Sequence, residues 1–189
     1  MLFIIERSDF GKLNLTNRKA MKTLSDYFGK TLMLIQPSLW KRNFELRDGN
    51  EIIGTLSYPK FFSVKADVKI FDTKWEFYEP KWWKNIIEIR EAGKELPIAS
   101  YKPPSFKRNG KLELPQGESI SLSSTFFRTT LEISDKYNAR LILFKSKFAF
   151  KSKVEVLIKK RSEVLDKYPW VVWLIYYVLL NQRRRSSSG

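Results

Sequence analysis

Hydrophobic and polar positions alternate along most of this chain. From Thr31 onward, short runs rich in Val, Ile, Leu, Phe, Tyr, Trp and Thr recur between turn-forming residues. A period of two is the pattern of strands with one buried face. In Ser63–Phe71, Val64, Ala66, Val68 and Ile70 fall on one face, and Lys65, Asp67 and Lys69 on the other. Further strands are predicted at Thr31–Gln36, Asn43–Arg47, Glu51–Ser57, Trp75–Tyr78, Lys84–Arg90 and Glu95–Lys102. The series continues through Lys111–Leu114, Ser119–Phe127, Thr129–Ser134, Arg140–Lys145 and Phe148–Lys160. Asp48-Gly49-Asn50 and Asp135-Lys136-Tyr137-Asn138 carry the chemistry of hairpin turns. About a dozen strands spaced by roughly 8–12 residues predict a sandwich or barrel. A parallel sheet needs long crossovers, usually helical, and no such pattern lies between the strands.

Two stretches break the alternation. Arg18–Gly29 places Met21, Leu24, Tyr27 and Phe28 near one helical face, with Gly29 where a C-cap belongs. The second is Tyr168-Pro169-Trp170-Val171-Val172-Trp173-Leu174-Ile175-Tyr176-Tyr177-Val178-Leu179-Leu180, apolar on every side. Pro169 suits the first turn of a helix, and Arg183, Arg184 and Arg185 suit its C-terminal end. A core helix over 168–182, within a helical segment 162–182, spans roughly 22 Å. That is short of the ~30 Å hydrocarbon core of a bilayer, so a tail anchor fits less well. An interfacial helix would present a polar face, which this one lacks. A helix apolar all round is otherwise enclosed by protein. The preceding strands supply the enclosure. The expected fold is therefore mainly β: a closed antiparallel barrel of about twelve strands around a buried hydrophobic C-terminal helix.

The terminal strand Glu155-Val156-Leu157-Ile158, the connector Arg161–Lys167 and the helix opening Tyr168-Pro169-Trp170-Val171-Val172-Trp173-Leu174 close this layout. In that arrangement the chain resembles the tubby C-terminal-like fold, the group of tubby-like, LURP-one-related and phospholipid scramblase-like proteins. The resemblance covers roughly Thr31 to Gln182. It implies that the last helix threads the barrel, and that phosphoinositide or membrane association is one use of the fold. No lipid-contacting residue of tubby proteins can be matched to a position here. The Pro-rich leader and Cys-rich run of scramblases are missing, so lipid scrambling is not implied.

The organisation expected is one domain over 1–189. It comprises an N-terminal segment 1–30, a barrel 31–160, the helical segment 162–182 and a basic, Ser-rich tail 183–189. The opening run Met1 to Ile5 meets Glu6 too soon for a secretory signal, so a cytoplasmic location, peripheral to a membrane, is expected. Cys and His are both absent. Disulfides, His-based nucleophilic triads and ordinary zinc sites are excluded with them. No phosphate loop, dinucleotide fingerprint or calcium loop is present. Glu88, Glu91 and Glu95 form no recognisable catalytic pair. No catalytic residue, metal or cofactor is predicted, and a non-enzymatic binding or scaffold module is expected.

The net charge is +15, which favours an anionic partner: acidic lipid headgroups, an acidic protein or nucleic acid. The densest basic stretch, Arg140 to Arg161, places Lys145, Lys147, Lys151 and Lys153 on one face of an extended chain. These four lysines, with Arg183, Arg184 and Arg185, are the candidate anion-binding residues. Plain solvation of an outer barrel face explains the same stripe. Trp75, Phe77 and Tyr78, with Trp82 and Trp83, are candidates for base stacking or a membrane interface, or simply core.

Overall fold

A computed structural model describes residues 22–38, 40–60, 63, 65–81, 84–103, 109–124, 130–146 and 153–186, with side chains through Asn181. Twelve strands follow one another: β1 (Thr31–Ile35), β2 (Asn43–Asp48), β3 (Glu51–Ser57), β4 (Ala66–Ile70), β5 (Thr73–Tyr78) and β6 (Ile87–Glu91). The second half comprises β7 (Ala99–Tyr101), β8 (Gly110–Glu113), β9 (Ser119–Ser124), β10 (Thr130–Asp135), β11 (Arg140–Lys145) and β12 (Lys153–Ile158). Every strand pairs antiparallel, in the order β7-β6-β5-β4-β3-β2-β1-β12-β11-β10-β9-β8. The sheet is a meander rolled so that β12 returns to β1, with Thr31 opposite Leu157 and Ile35 opposite Lys153. Its outer strands, β7 and β8, approach within 8 Å between Cα atoms but share no ladder among the described residues. An inserted strand would need roughly 9.5 Å. The barrel is therefore nearly closed, by contact along this one seam.

The turns follow from local chemistry. Gly49-Asn50 links β2 to β3 directly, with Asp48 paired to Glu51 and Gly49 at φ 57°, a conformation glycine adopts without strain. Between β10 and β11, Asp135 Oδ1 accepts the N–H groups of Tyr137 at 2.9 Å and Ala139 at 2.8 Å. Asn138, at φ 64°, makes the left-handed step. Desolvation works against the Asp135 carboxylate, but the Ala139 N–H, the Lys160 ammonium and the Tyr137 N–H outweigh it and hold its pKa below the usual value. A depressed folded pKa adds stability above the unfolded value, near 4, and loses it as pH falls through the folded value. Urea unfolding of Asp135→Asn should therefore lose part of the acid sensitivity of the native chain below about pH 4. Parallel curves for the two proteins would contradict this account.

Most strands bury one face, while β11 buries Leu141, Ile142, Leu143 and Phe144 on both. Leu32 and Leu34, Phe44 and Leu46, Val68 and Ile70, and Val154 and Val156 all point inward. They enclose α2 (Val171–Ser186), which follows the short α1 (Glu163–Lys167). Trp170, Val171, Val172, Trp173, Leu174 and Tyr177 have no exposed surface. Phe77 meets Trp170 and Tyr177 edge-on at 6.3 and 5.4 Å between centroids, and Phe44 meets Tyr176 at 5.2 Å. β3 carries Gly54 facing the helix at Trp173. A Cβ there would lie 3.2 Å from Trp173 Nε1 and 3.0 Å from the Lys69 carbonyl.

The helix differs from the expected 168–182 at both ends. Pro169 and Trp170 form a turn ahead of it. The first N–H groups reach back three residues, from Val171 to Tyr168, Val172 to Pro169 and Trp173 to Trp170, a tight entry that suits Pro169. At the far end the helix continues through Arg183, Arg184 and Arg185 to Ser186, because arginine is a good helix former and its charge complements the C-terminal dipole. Near the start of the chain, the described part of the expected helix 18–29 is only a 3-10 turn, Leu24–Tyr27. Its backbone is committed elsewhere: Ser25 N–H binds Asp166 Oδ1 at 2.9 Å, and Gly29 N–H binds the Ile158 carbonyl. Met21 and the residues before it lie outside the described residues.

Candidate anion-binding surface

Antiparallel order sorts the connections onto two ends of the barrel. At the first end lie the short turns β2–β3, β4–β5 and β10–β11, together with α1 and the entry to α2. At the second lie the connections β1–β2, β3–β4, β5–β6, β7–β8, β9–β10 and β11–β12, and the exit of α2. The exit is fixed by Asn181, buried against second-end residues. Its Nδ2 donates to Glu79 Oε1 at 2.6 Å, and its Oδ1 accepts from Tyr58 Oη at 3.5 Å.

The two ends differ in charge. Described residues in the second-end connections include Lys41, Arg42, Lys60, Lys65, Lys81, Lys84 and Lys102. The one acid among them is Glu79, which is buried and bonded to Asn181. Lys145 ends β11 and Lys153 opens β12 at the same rim, and both are exposed. The first end mixes signs instead. Lys30, Lys94, Lys136, Lys159, Lys160, Arg161 and Lys167 stand among Asp72, Glu95, Glu118, Glu163 and Asp166.

Part of the basic rim is rigidly held. The Arg42 guanidinium lies 3.6 Å from the centroid of the Tyr58 ring, and its Nη1 donates to the Ser63 carbonyl at 3.5 Å. The Tyr58 N–H returns to the Arg42 carbonyl at 3.2 Å. Gln36 Nε2 closes the β1–β2 connection on the Lys41 carbonyl at 3.2 Å. Beside Lys41 stands Trp40, 92% exposed, the most exposed of the large hydrophobic side chains described. Lys65 is partly neutralised by Glu76 at 2.8 Å.

The sequence candidates fall as follows. Lys145 and Lys153 share the outer face of adjacent strands, but Glu155 stands directly opposite Lys145 and two residues along from Lys153. Lys147 and Lys151 lie outside the described residues. The backbone of Arg183, Arg184 and Arg185 runs in the last turns of α2 beyond Asn181, at the second end. The basic stretch Arg140 to Arg161 is thus not one surface. β12 carries the chain across the barrel, so Arg140, Lys159, Lys160 and Arg161 sit at the first end. There Arg140 pairs with Glu132 at 2.9 Å and Lys160 with Asp135 at 3.3 Å. Trp75 and Phe77 are core residues, while Tyr78 is partly exposed and lies 5.0 Å from the Arg90 guanidinium. Trp82 and Trp83 lie outside the described residues. The reading of the sequence missed Trp40, although Trp40-Lys41-Arg42 follows Pro37 in a turn, where an aromatic has no inner face to occupy.

A cleft of about 560 Å³ opens at the first end, between the β2–β3 and β4–β5 turns and the entry to α2. Its charged lining is mixed: Lys22, Glu51, Lys69, Asp72 and Asp166. Lys22 and Glu51 pair at 2.5 Å, and Asp166 caps Ser25, so the cleft offers no single-signed cradle. Among the described residues no group of three or more Asp or Glu is placed to hold a metal ion. No described helix is long and apolar enough to cross a membrane.

No family model matches the chain, and no curated protein does. Among solved structures, a protein from Arabidopsis thaliana, AT5G01750, is similar in fold, with a TM-score of 0.59 at 12% sequence identity. The match covers 84% of this chain and 96% of that one, so the likeness takes in the barrel as a whole.

Proposed function

We propose that the protein is a non-enzymatic binding module of tubby-like type whose partner is anionic, either acidic phospholipid headgroups or an acidic protein surface. The observation that supports this reading is the difference between the barrel ends: the described connections of one carry seven basic residues and a single acid, buried Glu79, while those of the other are mixed; Asp67, Glu76 and Glu155 on the flanking strands offset only part of that charge. Solvation of outer faces puts lysines on walls but gives no reason to separate the ends by charge. Each basic residue near an acidic membrane contributes about 1 kcal/mol, and with Lys65 and Lys145 set aside for their acidic neighbours the rim still falls within the cluster of 4–8 that lipid binding asks for. The attraction is screened by salt. A nucleic-acid partner draws on the same charge, but Trp75 and Phe77 are too buried to stack on bases, which leaves the single exposed Trp40 at the basic rim in place of a row of stacking platforms among the described residues.

The test is flotation with vesicles containing phosphatidylserine, at low and high salt. Binding is expected at low salt and lost at high salt. Reversal of Lys41, Lys60, Lys145 and Lys153 to Glu should weaken it on the order of a thousand-fold. The same change at Lys94 and Lys159, on the opposite end, should leave it nearly unaltered. Equal binding to neutral vesicles, or none to acidic ones, removes the lipid version. A shift with oligonucleotides at low salt, steeply salt-dependent, would favour nucleic acid instead.

A further inference from the structure

We infer that the barrel docks end-on to an anionic bilayer, with Trp40 seated at the interface and the basic rim against the headgroups. This rests on the anionic-partner reading and adds the surface, its orientation and the choice of a membrane over an acidic protein.

Three observations carry it. The first is geometric: the basic connections leave consecutive hairpins around the barrel, so they form a ring across its axis rather than a groove along its side. A ring of separate point charges suits a flat, laterally fluid surface, whose headgroups rearrange beneath it; lysine suits such contacts because it needs no fixed fork geometry. The second is Trp40. A tryptophan 92% exposed, next to Lys41 and Arg42, is the pairing of aromatic body and cation found at membrane interfaces. An acidic protein would need a preformed apolar pocket at the right place to receive the indole, whereas a bilayer offers an apolar layer beneath every headgroup. The third is anchorage just after Trp40: Arg42 stacks on Tyr58, and the Lys41 carbonyl accepts Gln36 Nε2. Contact there therefore orders little of the backbone at Lys41 and Arg42 that is not already held.

The absence of Cys makes the test direct, since one introduced cysteine is the only thiol. Trp40→Cys and Lys60→Cys report from the basic rim, and Leu96→Cys and Tyr137→Cys from the opposite end, where both native side chains are exposed. Each full-length variant carries a polarity-sensitive fluorophore and meets vesicles of phosphatidylcholine with phosphatidylserine, vesicles of phosphatidylcholine alone, or polyglutamate. Flotation is measured in parallel. The expected result is a blue shift at positions 40 and 60 with acidic vesicles only, and none at 96 or 137. Trp40→Ala should lower vesicle partitioning several-fold without changing the melting curve. Flotation with shifts at 96 or 137, or at no position, overturns the end-on orientation while leaving the anionic reading intact. A shift at 40 with polyglutamate equal to that with vesicles overturns the bilayer in favour of an acidic polypeptide. Failure to float at all overturns the docking and the lipid version of the anionic reading together, and failure to float with no response to polyglutamate at position 40 or 60 overturns the anionic reading as well.

Discussion

A chain ending at Lys167 is expected not to fold. It would lack Trp170, Val171, Val172, Trp173, Leu174, Tyr176 and Tyr177, all of them buried inside the barrel. Each fully buried side chain of this size contributes about 1.5–3 kcal/mol, so together they match or exceed the roughly 5–15 kcal/mol that separates folded from unfolded domains. The loss does not stop there. The inner faces of β2, β3 and β5, now without the helix, would expose Phe44, Leu56 and Phe77 around an apolar void too large to collapse. Circular dichroism should show no cooperative melt, and gel filtration should show aggregates. A tail anchor would give the opposite outcome, because the anchor would be dispensable to the barrel. A soluble monomer with a sharp transition would therefore refute the enclosed-helix account.

Replacing Trp173 with Ala should cost about 3–5 kcal/mol, the range for large aromatic truncations in cores. The site cannot close around the missing indole, since Gly54 offers no side chain to move inward and the strand is held by its ladders. Trp173→Phe should cost markedly less. The indole N–H has no hydrogen-bond partner among the described residues, so its removal forfeits packing but no bond there. Gly54→Val probes the same contact from the other side. Its added carbons would press on the Lys69 carbonyl and the indole at 3.0–3.2 Å, and overpacking of this kind costs about 1–3 kcal/mol. The double variant Trp173→Ala with Gly54→Val should be more stable than the sum of the two changes. Chemical denaturation of the four proteins measures this, and simple additivity would mean that the two residues do not share one space.

The fold was legible because its two periods are so distinct. Val64, Ala66, Val68 and Ile70 alternate as only a half-buried strand can, and Trp170 to Leu180 shows no polar face at all. Boundaries were less legible. The helix was expected from Tyr168 because Pro169 tolerates a first turn, but the tight entry at Tyr168–Trp170 depends on how α1 meets the barrel, which no local signal encodes. The short turn at Leu24–Tyr27 was overestimated for a similar reason. Its backbone bonds go to Asp166 and Ile158, more than a hundred residues away. The candidate site was legible as composition and not as place. Lys145 and Lys160 look like neighbours in one basic stretch, yet a strand between them puts them at opposite ends of the molecule. Lys41, Lys60 and Lys153 look unrelated until the hairpins align them. Glu155, facing Lys145 across a ladder, could only be found from the register.

The ladder between β1 and β12 joins residues near opposite ends of the chain, Thr31 with Leu157. During synthesis, the early hairpins are made long before their partner strand exists. They wait with an apolar inner face open and one margin of β1 unpaired, and the helix that fills them is translated after all twelve strands. The barrel therefore cannot close until β12 and α2 have both emerged, and the half-made sheet is the species most exposed to aggregation. Cells that make this protein are expected to depend on holding factors during that interval, and slowing translation would lengthen the hazard rather than relieve it.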